Sequence, residues 1–133
     1  MTNPLPEFGR ILDVSALEGA ATGKSIYARA LIANVLSAGT TTLLIPVTAY
    51  VHALSVVPDD LRWQLMLLTT APVVEIDLLD DREKSHEIAD LRSEDVTLGH
   101  VAWCGLRHRW PIVTSRGRTL RTVAPELEID PLP

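Results

Sequence analysis

Apolar residues along this chain follow two rhythms. Short runs of four or five, rich in branched residues, alternate with longer stretches whose apolar positions recur every three or four residues. Residues 10–13 (Arg10-Ile11-Leu12-Asp13) predict a first strand, and residues 41–45, closed by Pro46, a second. Residues 72–76 predict a third strand and 111–114 a fourth, with 127–129 a short edge strand. Between them, 24–37 carries Ile26, Ala30, Leu31, Val35 and Leu36 at helical spacing, and Gly39 stops it. Residues 47–55 predict a short helix. Asp59 and Asp60 open another that carries Leu61, Leu65 and Leu68 on one face. Residues 80–91 predict a charged, solvated helix. Asp95 begins a core-facing helix to about Arg109, with Leu98, Val101, Ala102, Gly105 and Leu106 as its stripe. Residues 15–23, rich in small side chains, predict a turn leading into the helix at 24.

Strands that alternate with helices predict an α/β fold, a three-layer sandwich with a central parallel sheet. The length of 133 residues predicts a single domain over 1–133. The net charge of -5 argues against general nucleic-acid affinity. The lone Cys104 forbids an internal disulfide and suits a reducing compartment. Met1 to Glu7 lack the basic and apolar blocks of a leader. The most apolar stretch, 43–57, is short and holds Pro46, Thr48 and His52, so no membrane span is expected. A cytoplasmic protein is the expectation. The ten arginines against two lysines hint at a GC-rich bacterial genome.

Asp13 carries the chemical interest. A carboxylate at the exit of a buried parallel strand points into the crevice where α/β sheets bind ligands. A competing phosphate site is weak. Gly19-Ala20-Ala21-Thr22-Gly23-Lys24-Ser25 imitates a P-loop, but only three residues separate the glycines and Glu18 holds the preceding glycine position. Residues 73–77, which imitate the accompanying magnesium strand, are a common strand ending. Arg107, His108, Arg109, Arg116, Arg118 and Arg121 crowd into fifteen residues without an acid. They form either a solvated face or a basic rim for RNA phosphates.

Ile11-Leu12-Asp13-Val14-Ser15-Ala16-Leu17 resembles the opening Asp-x-Ser-Ala of the PIN domain family. That small nuclease fold includes the ribonuclease toxins of VapBC-type toxin–antitoxin pairs. Residues 45–53, beginning Ile45-Pro46, resemble the family's second-strand proline and following helix. Residues 105–114 and 120–127 resemble its closing helix, strand and short apolar strand. The resemblance implies a PIN-like fold across nearly the whole chain. It also implies three or four acids around one or two Mg²⁺ or Mn²⁺ ions that cleave RNA.

The family positions transfer unevenly. Asp13 takes the first acid, and Ser15 the hydroxyl that supports it. The second acid falls on His52, a poor Mg²⁺ ligand. Asp95 is the candidate third acid, although spacing from Thr114 points nearer Leu98; it is equally a helix cap. The fourth acid falls on Arg116. The resemblance thus implies Asp13, Asp95, Ser15 and His52 as the catalytic set and Asp13 with Asp95 as metal ligands. It also suggests that Arg116 replaces the metal by pairing with Asp13 or Asp95. His100, about 140° round the helix from Asp95, should not share its site. Cys104 and the tryptophans 63, 103 and 110 are expected in packing.

Three functions remain open from the sequence. The first is a degenerate PIN-like protein with hydrolysis lost or weak, which needs no cofactor and binds an antitoxin-like protein, RNA or a second copy of itself as a homodimer. The second is an active Mg²⁺- or Mn²⁺-dependent endoribonuclease that recruits a further acid such as Glu18 or Glu94. The third is a small-ligand protein sharing only topology.

Overall fold

The computed structural model describes residues 8–133; Met1 to Glu7, the stretch without leader-like blocks, lie outside them. Strands β1 (Gly9–Leu12), β2 (Thr42–Pro46), β3 (Val74–Asp77), β4 (Ile112–Thr114) and β5 (Ile129–Pro131) form one sheet in the order β3-β2-β1-β4-β5. Every pairing is parallel, with Ile11 beside Leu44 on one side and Ile112 on the other. Ile11, Leu12, Leu43, Ile45, Ile112 and Val113 are fully buried. Strands covered on both faces lose the alternation of a half-exposed sheet, which is why they read as unbroken apolar runs.

Among the described residues, seven helices connect the strands: α1 (Val14–Thr22), α2 (Ile26–Ala38), α3 (Val47–Val56), α4 (Arg62–Leu68), α5 (Arg82–Asp90), α6 (Val96–His108) and α7 (Gly117–Val123). A single 3-10 turn, Asp59–Leu61, leads into α4. Crossovers between parallel strands are right-handed. The connections β1–β2–β3 progress towards one edge, and β4–β5 lie towards the other. The chain therefore leaves β1 and β4 in opposite senses, and a crevice opens beyond their C-terminal ends.

Two stretches differ from the sequence expectation. Residues 15–23 are not a turn: α1 fills 14–22, started by Asp13 and ended by Gly23 at φ 79°. Ala16, Leu17, Gly19 and Ala21 are buried, so small residues here mark a closely packed helix. A Cβ on Gly19 would come within 2.7 Å of the Ser25 Cβ. The second difference is α7, which no apolar rhythm announced; Leu120 is its one buried residue. With α7 in place, the edge strand falls at 129–131 instead of 127–129. Trp63 is also not a packing group, since 57% of it is exposed.

Helix α6 crosses the sheet closely. A Cβ on Gly105 would stand 2.8 Å from both Ile112 Cδ1 and Leu127 Cδ2. This approach orients α6 so that its N-terminal Asp95 borders the crevice wall.

Candidate functional site at the β1–β4 crevice

Asp13 follows β1 and caps α1, and only 6% of it is exposed. Its Oδ1 accepts from the Ser15 hydroxyl at 2.6 Å and from the Ala16 amide at 3.0 Å. Its Oδ2 accepts from the hydroxyl of the fully buried Thr114. These two hydroxyls are themselves acceptors: Ser15 Oγ from the Ser115 amide at 2.9 Å, Thr114 Oγ1 from the Arg116 amide at 2.8 Å. One carboxylate thus ties the turn after β1 to the turn after β4. Burial pushes the Asp13 carboxyl above its ordinary value, and the hydrogen bonds from Ser15, Thr114 and Ala16 only partly oppose it.

A pocket of about 180 Å³ opens beside Asp13. Glu18, His52, Asp95 and Arg116 are among the side chains on its wall. The fold therefore brings Asp13, Ser15, His52 and Asp95 to one pocket, although they are spread over more than 80 residues of chain. Asp95 combines both roles weighed for it: its Oδ1 accepts from the Leu98 amide at 2.7 Å as the α6 cap, while the residue borders the pocket. Glu18 reaches the wall because α1 is helical and presents it three residues after Ser15, on the same side. The sequence offered Glu18 only as one possible further acid; the helix over 14–22 is what sets it on the pocket wall.

Arg116 does not form the expected ion pair with Asp13 or Asp95. Its guanidinium bonds Glu94 Oε1 at 3.0 Å instead, on the exposed side of the pocket. The turn after Thr114 sets this direction: the Arg116 amide bonds Thr114 Oγ1, while 44% of its side chain is exposed. Glu94, the acid next to Asp95, is therefore committed to the arginine.

The pocket does not fit the two-metal cluster of a PIN nuclease in this arrangement. Among the described residues, the only His, Cys, Asp or Glu trio whose ligand atoms lie within 4.8 Å of one another is Asp77, His100 and Cys104. The acids of the crevice are not in it. Both lone pairs of Asp13 Oδ1 are engaged, and Asp95 Oδ1 serves the helix.

The arginines divide between two places. Arg118 and Arg121 line a cleft with Thr114 and Ser115, next to the crevice. Arg107 lines another, beside Asp77, and Arg109 terminates α6. A single rim of six basic side chains is therefore not formed; the part nearest the crevice consists of Arg116, Arg118 and Arg121.

A second polar cluster went unread in the sequence. His100, fully buried, bonds Thr48 Oγ1 through Nδ1 at 2.9 Å and Asp77 Oδ2 through Nε2 at 2.7 Å. Lys84 approaches Asp77 Oδ1 at 3.4 Å and also donates to Asp80 at 2.9 Å. Burial works to raise the Asp77 carboxyl, but the His100 hydrogen bond and the Lys84 charge bring it below the ordinary value. Cys104 packs in the core as expected, and it also sits one turn after His100, with its sulfur near His100 and Asp77. Burial, with Asp77 adding to it, holds its thiol firmly protonated. The visible signal was the His-x-x-x-Cys spacing on one helix face.

No family model matches the chain, and no curated protein sequence matches it. Among solved structures, it is similar to a chain in the crystal structure of VapBC2 from Rickettsia felis bound to a DNA fragment from their promoter. The TM-score is 0.72 over 95% of this chain and 100% of that one, at 11% identity. At that identity the likeness is one of architecture. The five-stranded parallel sheet and its helices are the PIN-like fold that the opening Asp-x-Ser-Ala resemblance implied.

Proposed function

We propose that this protein is a PIN-like binding module of toxin–antitoxin type whose metal-dependent RNA cleavage is lost or weak. One observation carries the reading: Asp13 is spent on holding two turns together, and among the described residues it belongs to no trio of His, Cys, Asp or Glu whose ligand atoms lie within 4.8 Å of one another. Hard divalent ions require several oxygen ligands at short range. Arg116, in place of the fourth acid, adds positive charge to the pocket wall and repels a cation. The arginines beside the crevice suit an RNA backbone. The fold shared with a chain of the VapBC2 complex supports an antitoxin-like protein as a second candidate partner.

A second reading is favoured by Glu18. With Asp13 and Asp95 it gives the pocket three carboxylates, the minimum for an active Mg²⁺- or Mn²⁺-dependent ribonuclease. Incubation of the purified protein with RNA and Mn²⁺ or Mg²⁺ separates the two. No cleavage above that of Asp13→Asn is expected. Cleavage that vanishes in Asp13→Asn and in Glu18→Gln establishes the nuclease and overturns the binding-module reading.

A further inference from the structure

We propose that Asp77, His100 and Cys104 form a site for a soft divalent cation of the Zn²⁺ class, separate from the Asp13 crevice. Their candidate ligand atoms all lie within 4.8 Å of one another. Carboxylate oxygen, imidazole nitrogen and the thiolate sulfur left when the arriving cation displaces the Cys104 proton to solvent together select Zn²⁺ or Co²⁺ over Mg²⁺. Each ligand is placed by a rigid element. Asp77 ends β3, and His100 and Cys104 stand one turn apart on α6. Thr48 on α3 holds the far ring nitrogen of His100 at 2.9 Å and so fixes the direction of Nε2. His100 and Cys104 are fully buried, as in a closed structural site.

The present 2.7 Å contact between Nε2 and Asp77 Oδ2 carries a proton where the cation would lie. Two ligands at about 2.0 Å from a tetrahedral ion stand roughly 3.3 Å apart. Opening that contact by about 0.6 Å is a side-chain adjustment. Asp77 also borders a surface cleft, from which a water could complete the coordination of a bound ion.

Lys84 is the competitor. Its ammonium lies 3.4 Å from Asp77 Oδ1, bonds the Leu78 carbonyl at 2.8 Å and rests 5.1 Å from the Trp103 ring centroid. It supplies positive charge to Asp77, and an arriving cation must share or displace it. Removing it should therefore tighten metal binding by about tenfold, the scale on which groups around a metal act.

Titration of the full chain with Co²⁺, read by absorption, tests the site. The expected result is a thiolate-to-cobalt charge-transfer band that saturates at one ion per chain. It should persist in Asp13→Asn, strengthen at lower cobalt in Lys84→Ala, and disappear in Cys104→Ser. X-ray absorption of the Zn²⁺-loaded wild type should show one sulfur at about 2.3 Å, a readout that needs no variant to fold. Failure to see sulfur ligation in both the wild type and Lys84→Ala overturns the site, as does a band that survives Cys104→Ser. A cobalt signal lost in Asp13→Asn but kept in Cys104→Ser assigns the ion to the crevice and equally refutes the proposal.

Discussion

Replacing Thr114 by valine tests whether Asp13 is held as a buried anion. Valine keeps the shape of the side chain and removes only the hydroxyl that donates to Asp13 Oδ2 and accepts from the Arg116 amide. A hydrogen bond to a charged group contributes about 1.5–3 kcal/mol. The Arg116 amide loses its acceptor as well, a part-buried hydrogen bond that adds to the loss. A loss of about 2–3 kcal/mol at neutral pH follows. At this chain length that corresponds to a fall of roughly 6–12 °C in Tm. The loss depends on pH in a definite direction. Burial raises the folded carboxyl of Asp13 above its unfolded value of 3.8, so folding is penalised progressively as pH rises through that interval. Without the Thr114 hydroxyl the folded value climbs further. The penalty of Thr114→Val should be full above both folded values and shrink as pH falls from the variant's folded value to the lower one of the wild type, because the unfolded carboxyl titrates alike in both proteins and cancels. Urea denaturation of wild type and Thr114→Val at a series of pH values reads it. A difference under about 0.5 kcal/mol, or one of equal size at acid and neutral pH, would refute the buried-anion account.

The remaining expectations concern packing, charge and the second cluster. Gly105→Ala puts a methyl against Ile112 and Leu127 and should destabilise by about 1–3 kcal/mol in urea; an unchanged midpoint would mean that α6 can move off the sheet. Arg116→Ala breaks only an exposed ion pair, so stability should move by less than about 1 kcal/mol. In a filter-binding assay at low salt the same variant should retain RNA less well, and wild-type binding should weaken steeply with added salt; salt-independent retention would speak against phosphate contacts. His100→Leu deprives Thr48 and Asp77 of their shared partner and should lower stability by about 2 kcal/mol. A neutral result in thermal melts would show that Lys84 alone satisfies Asp77.

The class of fold was legible in residue order alone. Buried parallel strands leave continuous apolar runs, and core-facing helices leave a three-to-four-residue rhythm. Both signals are local, and both could be read for β1 to β4 and for α2 and α6. Asp13 stood out as well, because a carboxylate that closes an apolar strand must either cap the next element or face the crevice, and here it does both. Residues 14–22 and 117–123 escaped because their packing relies on small residues or one leucine, which leave no strong apolar stripe. Which polar groups meet was settled by packing in three dimensions. Thr114 reaches Asp13 across 101 positions, and Asp77 reaches His100 across 23. Arg116, expected to face Asp13 or Asp95, turned outward to Glu94 because a backbone turn, not residue type, sets the direction of a side chain. Charge and spacing name the groups able to do chemistry; the register of parallel strands and the close seat of α6 at Gly105 assign their partners.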